Sequence, residues 1–159
     1  MKFLRFLKNI LIKYLLKLGF VNQYRFHVDG PISRLIIKDT SGEVDIKNKI
    51  GCVNTIFNTG SGDIKIGDGV IFGHNVMVLT GKHDYTNCNK NSLKYDVVQN
   101  RDIVIEKGVW IASGAIILGN VNIGKHSVVM ADSIVTKDIP SHSVVAGIPA
   151  KIVRDLKVK

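Results

Sequence analysis

His83 is the side chain whose type and position in this sequence most suggest chemistry. It ends the regular stretch LTGKH and is followed by a polar stretch that is rich in asparagine. Histidine titrates near neutrality, so it can take a proton from a weak nucleophile such as an alcohol. Its neighbour Asp84 could orient the imidazole and stabilise its cation. By residue type alone, however, a histidine in such a place is more often an ordinary surface residue.

Positive side chains near the C-terminus offer a second kind of chemistry. Lys137, Lys151 and Arg154 could neutralise phosphate oxygens, and Arg154 could do so with two parallel hydrogen bonds. The alternative is that they form a solvated basic tail. The chain has 22 basic and 13 acidic residues, which suggests an anionic partner. Since the lysines are scattered and aromatic residues are few, we expect no nucleic-acid partner.

A hexapeptide repeat supplies the framework that must position these side chains. From Ile105 to Pro140 it reads IEKGVW, IASGAI, ILGNVN, IGKHSV, VMADSI and VTKDIP, and each unit opens on an aliphatic residue. A period of six fits neither an α-helix nor a long alternating strand. It is typical of a chain that makes a short strand, turns a corner and repeats, so that three units close one triangular coil and stacked coils share a core. Chance recurrence in an Ile/Val-rich stretch is the alternative.

The same phase extends upstream and is then interrupted. IGDGVI, FGHNVM and VLTGKH continue it from Ile66 to His83, whereas residues 31–65 predict one or two irregular coils. The repeat stops over residues 84–102, which we predict to be one long loop projecting from a corner. A loop of this length in a compact solenoid usually carries function.

The first nineteen residues differ from the rest of the chain. Residues 1–19 predict an amphipathic helix with lysine and arginine on one side and large apolar residues on the other. Charges recur too often for a membrane span, and we expect no signal peptide because no apolar run is followed by a small-residue cleavage site. The helix could pack on the solenoid or lie on an anionic membrane surface. Residues 20–159 are expected to form a single β-helix domain containing loop 84–102.

Two cysteines, Cys52 and Cys88, are far apart in the sequence and form no CxxC pair. The simplest interpretation is a pair of reduced thiols in a cytoplasmic protein, with Cys52 in the core and Cys88 in the loop. A disulfide has no support in the sequence.

Three motifs carry a resemblance to a known family. LTGKHD over residues 79–84, VWIASGAIILGNVNIG over 109–124 and SIVTKDIPSHSVVAGIPAKIVR over 133–154 resemble the left-handed parallel β-helix acyltransferases. Among these, the sequence is most similar to the sugar O-acetyltransferases, a group that includes galactoside, maltose and polysaccharide-modifying acetyltransferases. The resemblance implies an all-β fold, namely a single-stranded left-handed parallel β-helix with the short N-terminal α-helix and one long loop. It also implies a homotrimer that binds acetyl-coenzyme A in a groove, with no metal.

The resemblance also implies roles for individual residues. His83 would act as the general base, assisted by Asp84, and backbone amides near Ser113 would stabilise the oxyanion. Direct transfer in a ternary complex requires no covalent enzyme intermediate. The residues implied in binding coenzyme A are Trp110 and Ser113 beside the pantetheine arm, Ala131, Thr136 and Lys137 further along, and Lys151 and Arg154 near the phosphates.

Several positions depart from the family pattern. The departures are Ala112, Met130, Ala131, Asp132, Ile148, and Gly119 with Asn120. Asp132 matters most, because a carboxylate beside the cofactor groove could repel phosphate or narrow the channel. The acceptor-binding residues of galactoside acetyltransferase have no clear counterparts over residues 54–63, so the resemblance does not identify the acceptor.

The sequence therefore predicts an acetyl-coenzyme A dependent O-acetyltransferase that acts on a saccharide, within surface-polysaccharide biosynthesis. An antibiotic acetyltransferase of the same fold and a non-catalytic solenoid that binds a partner stay open as alternatives. A zinc hydratase of this fold needs three histidine ligands that commonly include a closely spaced pair. The five histidines contain no such pair, which argues against that activity; they are His27, His74, His83, His126 and His142.

Overall fold

Short β-strands make up most of the regular structure. The computed structural model describes residues 26–37, 52–84 and 97–156, and these ranges contain fourteen strands and a short 3-10 helix, Ile32–Arg34. The strands are β1 (Phe26–Asp29), β2 (Leu35–Ile37), β3 (Thr55–Asn58), β4 (Ile64–Ile66), β5 (Ile71–Phe72), β6 (Met77–Leu79), β7 (Ile103–Ile105), β8 (Trp110–Ile111), β9 (Ile116–Leu118), β10 (Val121–Ile123), β11 (Val128–Val129), β12 (Ile134–Val135), β13 (Ser143–Ala146) and β14 (Lys151–Asp155).

The strands form three sheets that the chain visits in rotation. The first sheet has the order β1-β3-β6-β9-β12, the second β2-β4-β7-β10, and the third β5-β8-β11-β13-β14. Neighbours pair in parallel, except that β14 runs antiparallel to β13. From β3 to β12, consecutive strands lie in consecutive sheets, so each circuit of the chain closes one triangular coil. The predicted left-handed parallel β-helix is confirmed.

The hexapeptide register predicted from the sequence matches the strand pairing. In the second sheet, Ile66, Ile105 and Ile123 lie opposite one another, so the opening residue of each unit is stacked on its equivalent in the next coil. The first sheet stacks Phe57, Val78, Ile117 and Val135 in the same way, and the third stacks Phe72, Ile111, Val129 and Val145. All of these side chains are buried. Three apolar columns therefore form one continuous core, which stabilises the stack by removing apolar surface from water.

The fifth position of each unit also points inward near a corner, as predicted. Val109 and Ala115 are fully buried there, and so are the hydroxyl-bearing Ser127 and Ser133. The Ser127 hydroxyl donates to the carbonyl oxygen of Pro140 at 2.7 Å and accepts from the amide of Ser143 at 3.2 Å. A small side chain with its own partners can thus occupy the narrow corner without an unsatisfied polar group.

The irregular region contains strands of the same three-sided coil. Strands β2 and β3 fall within residues 31–65 and β4 begins there, and β1 pairs with β3 as β2 pairs with β4. The long loop leaves after β6 and returns before β7, where His83 and Val97 form an antiparallel bridge. Cys52 is buried, as predicted. The predicted helix of residues 1–19, Cys88 and most of loop 84–102 lie outside the described residues.

Candidate active site at two corners of the coil

An apolar groove runs along the corner between the third and first sheets, which we call the groove corner. Its volume is about 560 Å³. Its described lining consists of Ile71 and Phe72 of β5, Trp110 of β8, Val53 before β3, and residues of the turns that follow β5, β8 and β11: Gly73, His74, Ala112, Ser113, Met130 and Ala131. Three of the residues that the resemblance implied for cofactor binding therefore lie together in one groove.

Local packing explains the shape of this corner. Trp110 lies between Ile71 and Val128 in the third sheet, and about half of its surface (49%) remains exposed. The Ser113 hydroxyl accepts a hydrogen bond from the amide of His74 at 3.0 Å. A Cβ on Gly73 would collide with the backbone of Ser113, so glycine is required where the two turns approach each other. The groove therefore combines a wide aromatic face with a fixed hydroxyl.

Two of the predicted phosphate-binding side chains lie on β14, at the edge of the third sheet. Lys151 pairs with Ala146 at the C-terminal end of β13, whereas Arg154 pairs with Val144 nearer its N-terminal end. The groove follows the C-terminal ends of the parallel strands in the same sheet, so Lys151 lies on the groove side of β14 and Arg154 further away. Both residues are exposed and are not among the described residues that line the groove.

Asp132 occupies the turn after the groove residues Met130 and Ala131. It adopts a positive φ of 55°, and its carboxylate lies where a Cβ on Gly114 would project. The carboxylate therefore fits over a glycine of the preceding coil. Asp132 is not among the described residues that line the groove.

His83 belongs to a different corner, the one between the first and second sheets, which we call the loop corner. His83 is exposed, and the next residue, Asp84, is half-buried. The bridge between His83 and Val97 is supported by a hydrogen bond from the Val98 amide to the Lys82 carbonyl at 2.9 Å. The base of the long loop is thus closed by backbone pairing next to the candidate base.

The segment that leads to His83 is anchored to the coil before it. The amide of Thr80 donates to the Asn58 carbonyl at 3.0 Å, and the amide of Gly81 donates to the Asn58 side-chain oxygen at 2.9 Å. The amide of Lys82 donates to the Ser61 hydroxyl at 3.0 Å. Ser61 and Thr80 are fully buried, and the Ser61 amide donates to the Thr80 hydroxyl at 3.0 Å. Three consecutive backbone amides before His83 are therefore held in place.

The returning end of the loop is anchored by Arg101. Its Nε donates to the Thr80 carbonyl and its Nη2 to the Gly119 carbonyl, both at 3.0 Å, while its amide donates to the Ser61 carbonyl. One guanidinium thus links the departing segment to the next coil. Because the guanidinium is planar and always charged, these two bonds have a fixed mutual geometry.

Asp102, the next residue, adds a charged carboxylate to this anchor. Its carboxylate accepts a hydrogen bond from the Asp63 amide at 2.9 Å and pairs with Lys65 at 3.3 Å. The Asp63 amide is the main reason that the pKa of Asp102 lies below its ordinary value of 3.8; partial burial opposes the shift, and Lys65 and Arg34 reinforce it. The loop therefore returns to the coil through a residue that is ionised near neutrality.

The implied site residues consequently separate into two groups. Trp110, Ser113, Ala131 and Lys151 are at or beside the groove corner, whereas His83, Asp84, Thr136 and Lys137 are at the loop corner. Thr136 and Lys137 directly follow β12 of the first sheet, as His83 follows β6. Arg154 lies beyond both groups on β14. Within the described residues, one copy of the chain does not bring the candidate base to the groove.

Sequence reasoning missed several residues of both corners. Phe72, His74 and Met130 line the groove, and Asn58 and Arg101 hold the loop base. The repeat phase could have suggested Phe72 and His74, because their unit FGHNVM aligns with the unit that contains Ser113. No such signal exists for Asn58, since its coil is irregular in sequence.

Comparisons with known proteins agree with this architecture. Galactoside O-acetyltransferase from Lactococcus lactis subsp. lactis is 40% identical over 95 residues, a match that covers 59% of this chain and 44% of that protein. The chain therefore spans less than half the length of this curated relative. No protein-family model matches the chain.

Solved structures extend the similarity to the fold. A hexapeptide-repeat acetyltransferase from Vibrio cholerae O1 biovar eltor, complexed with acetyl-coenzyme A, has 26% identity and a TM-score of 0.60 over 86% of this chain and 73% of its own. A galactoside acetyltransferase in complex with coenzyme A has 28% identity and a TM-score of 0.60 over 84% and 63% of the two chains. The chain is similar in sequence and fold to the hexapeptide-repeat acetyltransferases.

Within residues 26–37, 52–84 and 97–156, no three histidine, cysteine or acidic side chains converge as metal ligands. In the same ranges, no helix has both the length and the apolar character that crossing a bilayer requires.

Proposed function

We propose that this protein is an acetyl-coenzyme A dependent O-acetyltransferase that transfers an acetyl group to a saccharide hydroxyl. The apolar groove that contains Trp110, Ser113 and Ala131 carries this proposal. A narrow apolar channel with few polar groups suits the pantetheine arm, and the basic residue Lys151 lies on the groove side of the neighbouring strand, where it suits the phosphates. Relatives with this fold were solved with coenzyme A or its acetyl ester.

The residues of the groove fit the donor chemically. The exposed indole of Trp110 would pack against the arm and keep water away from it. The Ser113 hydroxyl already accepts a hydrogen bond from the His74 amide, so its own proton points elsewhere and can be donated to a polar atom of the arm. Acetyl-coenzyme A would supply an acetyl group already activated as a thioester.

His83 would then act on the acceptor. Its imidazole would take the proton of the sugar hydroxyl as that oxygen attacks the thioester carbonyl, and the same proton would pass to the departing thiolate. Asp84, half-buried beside it, would stabilise the imidazolium that forms between these two transfers. Backbone amides near Ser113 would stabilise the negative charge on the carbonyl oxygen. In this scheme no enzyme side chain becomes acetylated.

The separation of the two corners supports a homotrimer. In a closed three-fold assembly of triangular prisms, the loop corner of one copy can face the groove corner of the next, so each site would take His83 from one subunit and Trp110 from its neighbour. Thr136 and Lys137 would then approach the cofactor from the side of His83. The protein's mass in solution, measured by light scattering, should be three times that of the chain.

Complementation between impaired variants, assayed at an acetyl-coenzyme A concentration well below saturation, tests the shared site. We expect His83→Ala and Trp110→Ala homotrimers to be impaired, and co-expressed mixtures of the two to regain activity, because a mixed trimer contains one interface between an intact loop corner and an intact groove corner. Mixing two His83→Ala preparations is the control. If the mixed trimers are no more active at this donor concentration than the Trp110→Ala homotrimer, the two groups do not form one site across the interface.

A screen of acceptors tests the reaction itself. Release of free coenzyme A thiol should be followed with acetyl-coenzyme A and a panel of free sugars, nucleotide sugars and surface-polysaccharide fragments, the last being the acceptor class that we propose. Aminoglycoside and other antibiotic acceptors belong in the same panel, since they represent the xenobiotic alternative. If the protein binds acetyl-coenzyme A tightly but acetylates none of these acceptors, the result contradicts the proposed transferase activity.

We also propose that residues 1–19 give this cytoplasmic enzyme an affinity for anionic membrane surfaces. The support is the sequence pattern of one basic and one apolar side. Flotation with anionic and neutral liposomes should compare the full chain with a variant lacking residues 1–19. Equal flotation of the two proteins would mean that this segment has another role, such as packing on the trimer.

A further inference from the structure

The backbone before His83 depends on one side chain in particular. Asn58 is half-buried at the end of β3, and its side-chain oxygen accepts hydrogen bonds from the amides of Gly81 at 2.9 Å and Gly60 at 3.2 Å. Its side-chain nitrogen donates to the Asp29 carboxylate at 2.7 Å. The Asn58 side chain therefore joins three consecutive coils of the first sheet at the loop corner.

The chemistry of these partners fixes the orientation of the Asn58 amide group. An ionised carboxylate only accepts hydrogen bonds and a backbone amide only donates them. The NH₂ group must therefore face Asp29, and the oxygen must face Gly81. The reverse orientation would place two acceptors together on one side and two donors together on the other, so Asp29 selects the rotamer that holds Gly81.

Gly81 is a point where this support is needed. Glycine has more accessible backbone conformations than other residues, so its peptide is easily reoriented unless it is hydrogen-bonded. A Cβ at Gly81 would come within 2.7 Å of the Asn58 side-chain oxygen, which shows how closely the two residues fit. Small rotations at Gly81 would displace His83, two residues further along, and a displacement of about 1 Å can cost a factor of about 100 in rate.

We infer that Asn58, oriented by Asp29, is a positioning residue that sets the placement of the His83 imidazole through the Gly81 peptide. The inference rests on the proposed role of His83 as the base. Asn58 also keeps Thr80 in place, but it does so through its main-chain carbonyl. Replacing only the side chain therefore separates the effect on Gly81 from the strand pairing that maintains the coil.

The test compares four variants. Asn58→Ala removes both the oxygen that holds Gly81 and the group that Asp29 orients. Asp29→Ala removes the orienting carboxylate, whereas Asp29→Asn keeps an oxygen that can accept from Asn58. Asn122→Ala is the matched control, because the exposed Asn122 also donates from its side chain to a carboxylate, that of Glu106 at 3.2 Å. Glu106 follows β7, at the corner between the second and third sheets, so this pair does not touch the segment before His83.

We expect Asn58→Ala to lower kcat about tenfold while the KM for acetyl-coenzyme A changes less than about twofold, because the groove lies at another corner. Asp29→Ala should lower kcat by a smaller factor, Asp29→Asn should restore it, and Asn122→Ala should match the wild type. The inference is overturned if Asn58→Ala keeps the wild-type kcat, or if Asn122→Ala loses as much.

A second measurement does not depend on turnover. The imidazole signals of histidine-labelled protein should be recorded by NMR, with the His83 resonance assigned from its absence in His83→Ala. Asn58→Ala should shift or broaden that resonance, and Asp29→Asn and Asn122→Ala should leave it unchanged. If the wild type transfers no acetyl group, the proposed function fails, and this spectrum alone decides the inference. An unchanged His83 resonance in Asn58→Ala would overturn it, even if the melting temperature falls.

Discussion

The two corners that carry the candidate site are built on opposite principles. At the groove corner, the backbone turns are short and regular, and apolar side chains such as Phe72 and Trp110 provide a surface for binding. At the loop corner, buried hydroxyls, an amide side chain and a guanidinium hold the backbone on both sides of a long insertion. The comparison teaches that side chains at equivalent positions of a repeat are enough to make a binding surface. A single side chain at the base of a loop, such as the candidate base His83, needs directional hydrogen bonds to the neighbouring backbone to fix its position.

The largest effect should come from removing the proposed base at the loop corner. His83→Ala should lower turnover by roughly a hundredfold or more, with acetyl-coenzyme A affinity nearly unchanged, because the base acts only as the proton moves. Initial rates of thiol release and calorimetric titration measure the two quantities. His27→Ala, which removes an exposed histidine on β1, is the control. Unchanged turnover in His83→Ala would remove this residue from its role.

The opposite pattern is expected at the groove corner. Trp110→Ala should weaken acetyl-coenzyme A binding about tenfold, which corresponds to about 1.4 kcal/mol, since it removes the largest apolar surface of the groove. The rate at saturating donor should change much less. Isothermal titration with coenzyme A gives the affinity, and Val153→Ala, which shortens an exposed apolar side chain on β14, is the control. If Trp110→Ala binds as tightly as the wild type, the groove does not hold the arm.

The basic side chains of β14 should show a smaller effect on cofactor binding, one that depends on salt. Lys151→Ala should weaken coenzyme A binding about threefold at low ionic strength, and Arg154→Ala less, because Lys151 lies on the groove side of β14. The difference from the wild type should shrink as salt is added. Affinities measured at two salt concentrations test this order. Equal affinity in both variants and the wild type would identify these residues as a solvated end.

The smallest effect concerns the stability of the loop anchor. The pKa of Asp102 is lower in the folded protein than in the unfolded chain, so its carboxylate stabilises the fold above the ordinary pKa of 3.8, and this stabilisation is lost as pH falls through the lowered value. Asp102→Asn should therefore reduce the free energy of unfolding by roughly 0.5 kcal/mol at pH 7, a modest figure because the side chain is 44% exposed.

Urea unfolding at several pH values measures this contribution. The two curves should converge well below pH 3.8, because the wild-type carboxyl is then protonated and neutral like the amide. Asp138→Asn serves as the control: Asp138 also accepts a backbone amide, that of Asn122 at 2.8 Å, but it follows β12, two coils beyond Asp102. A difference between wild type and Asp102→Asn that stays constant across the pH range would show that the charge is not its source.

Much of the fold could be predicted because the position of a residue within the hexapeptide repeat determines whether its side chain points into the coil. Each opening aliphatic residue from Ile105 to Val135 lies in an apolar column of the core, and the fifth residues are buried at the corners. The pattern works because every coil repeats the same packing problem, so one register determines the positions of all equivalent residues. The loop was visible for the same reason, as the place where the pattern stops.

The site could be predicted less completely. Trp110, Ser113 and Ala131 occupy equivalent or neighbouring positions in successive repeats, and the groove that unites them follows from their register. Asn58 and Gly81 are brought together by the pairing of β3 with β6, where the spacing is irregular and no repeat predicts the register. The same holds for Arg101, whose guanidinium reaches carbonyls of two coils.

The sequence by itself thus determined that this chain is a three-sided coil, where its interior lies and which histidine stands at the break in the repeat, because hydrophobic periodicity is a local property. Only the tertiary structure decided that the implied site residues separate between two corners and that Asn58 holds the peptide before His83. Those facts depend on contacts between residues that are distant in sequence, and hydrogen bonds to backbone atoms leave no pattern in the residue types that receive them.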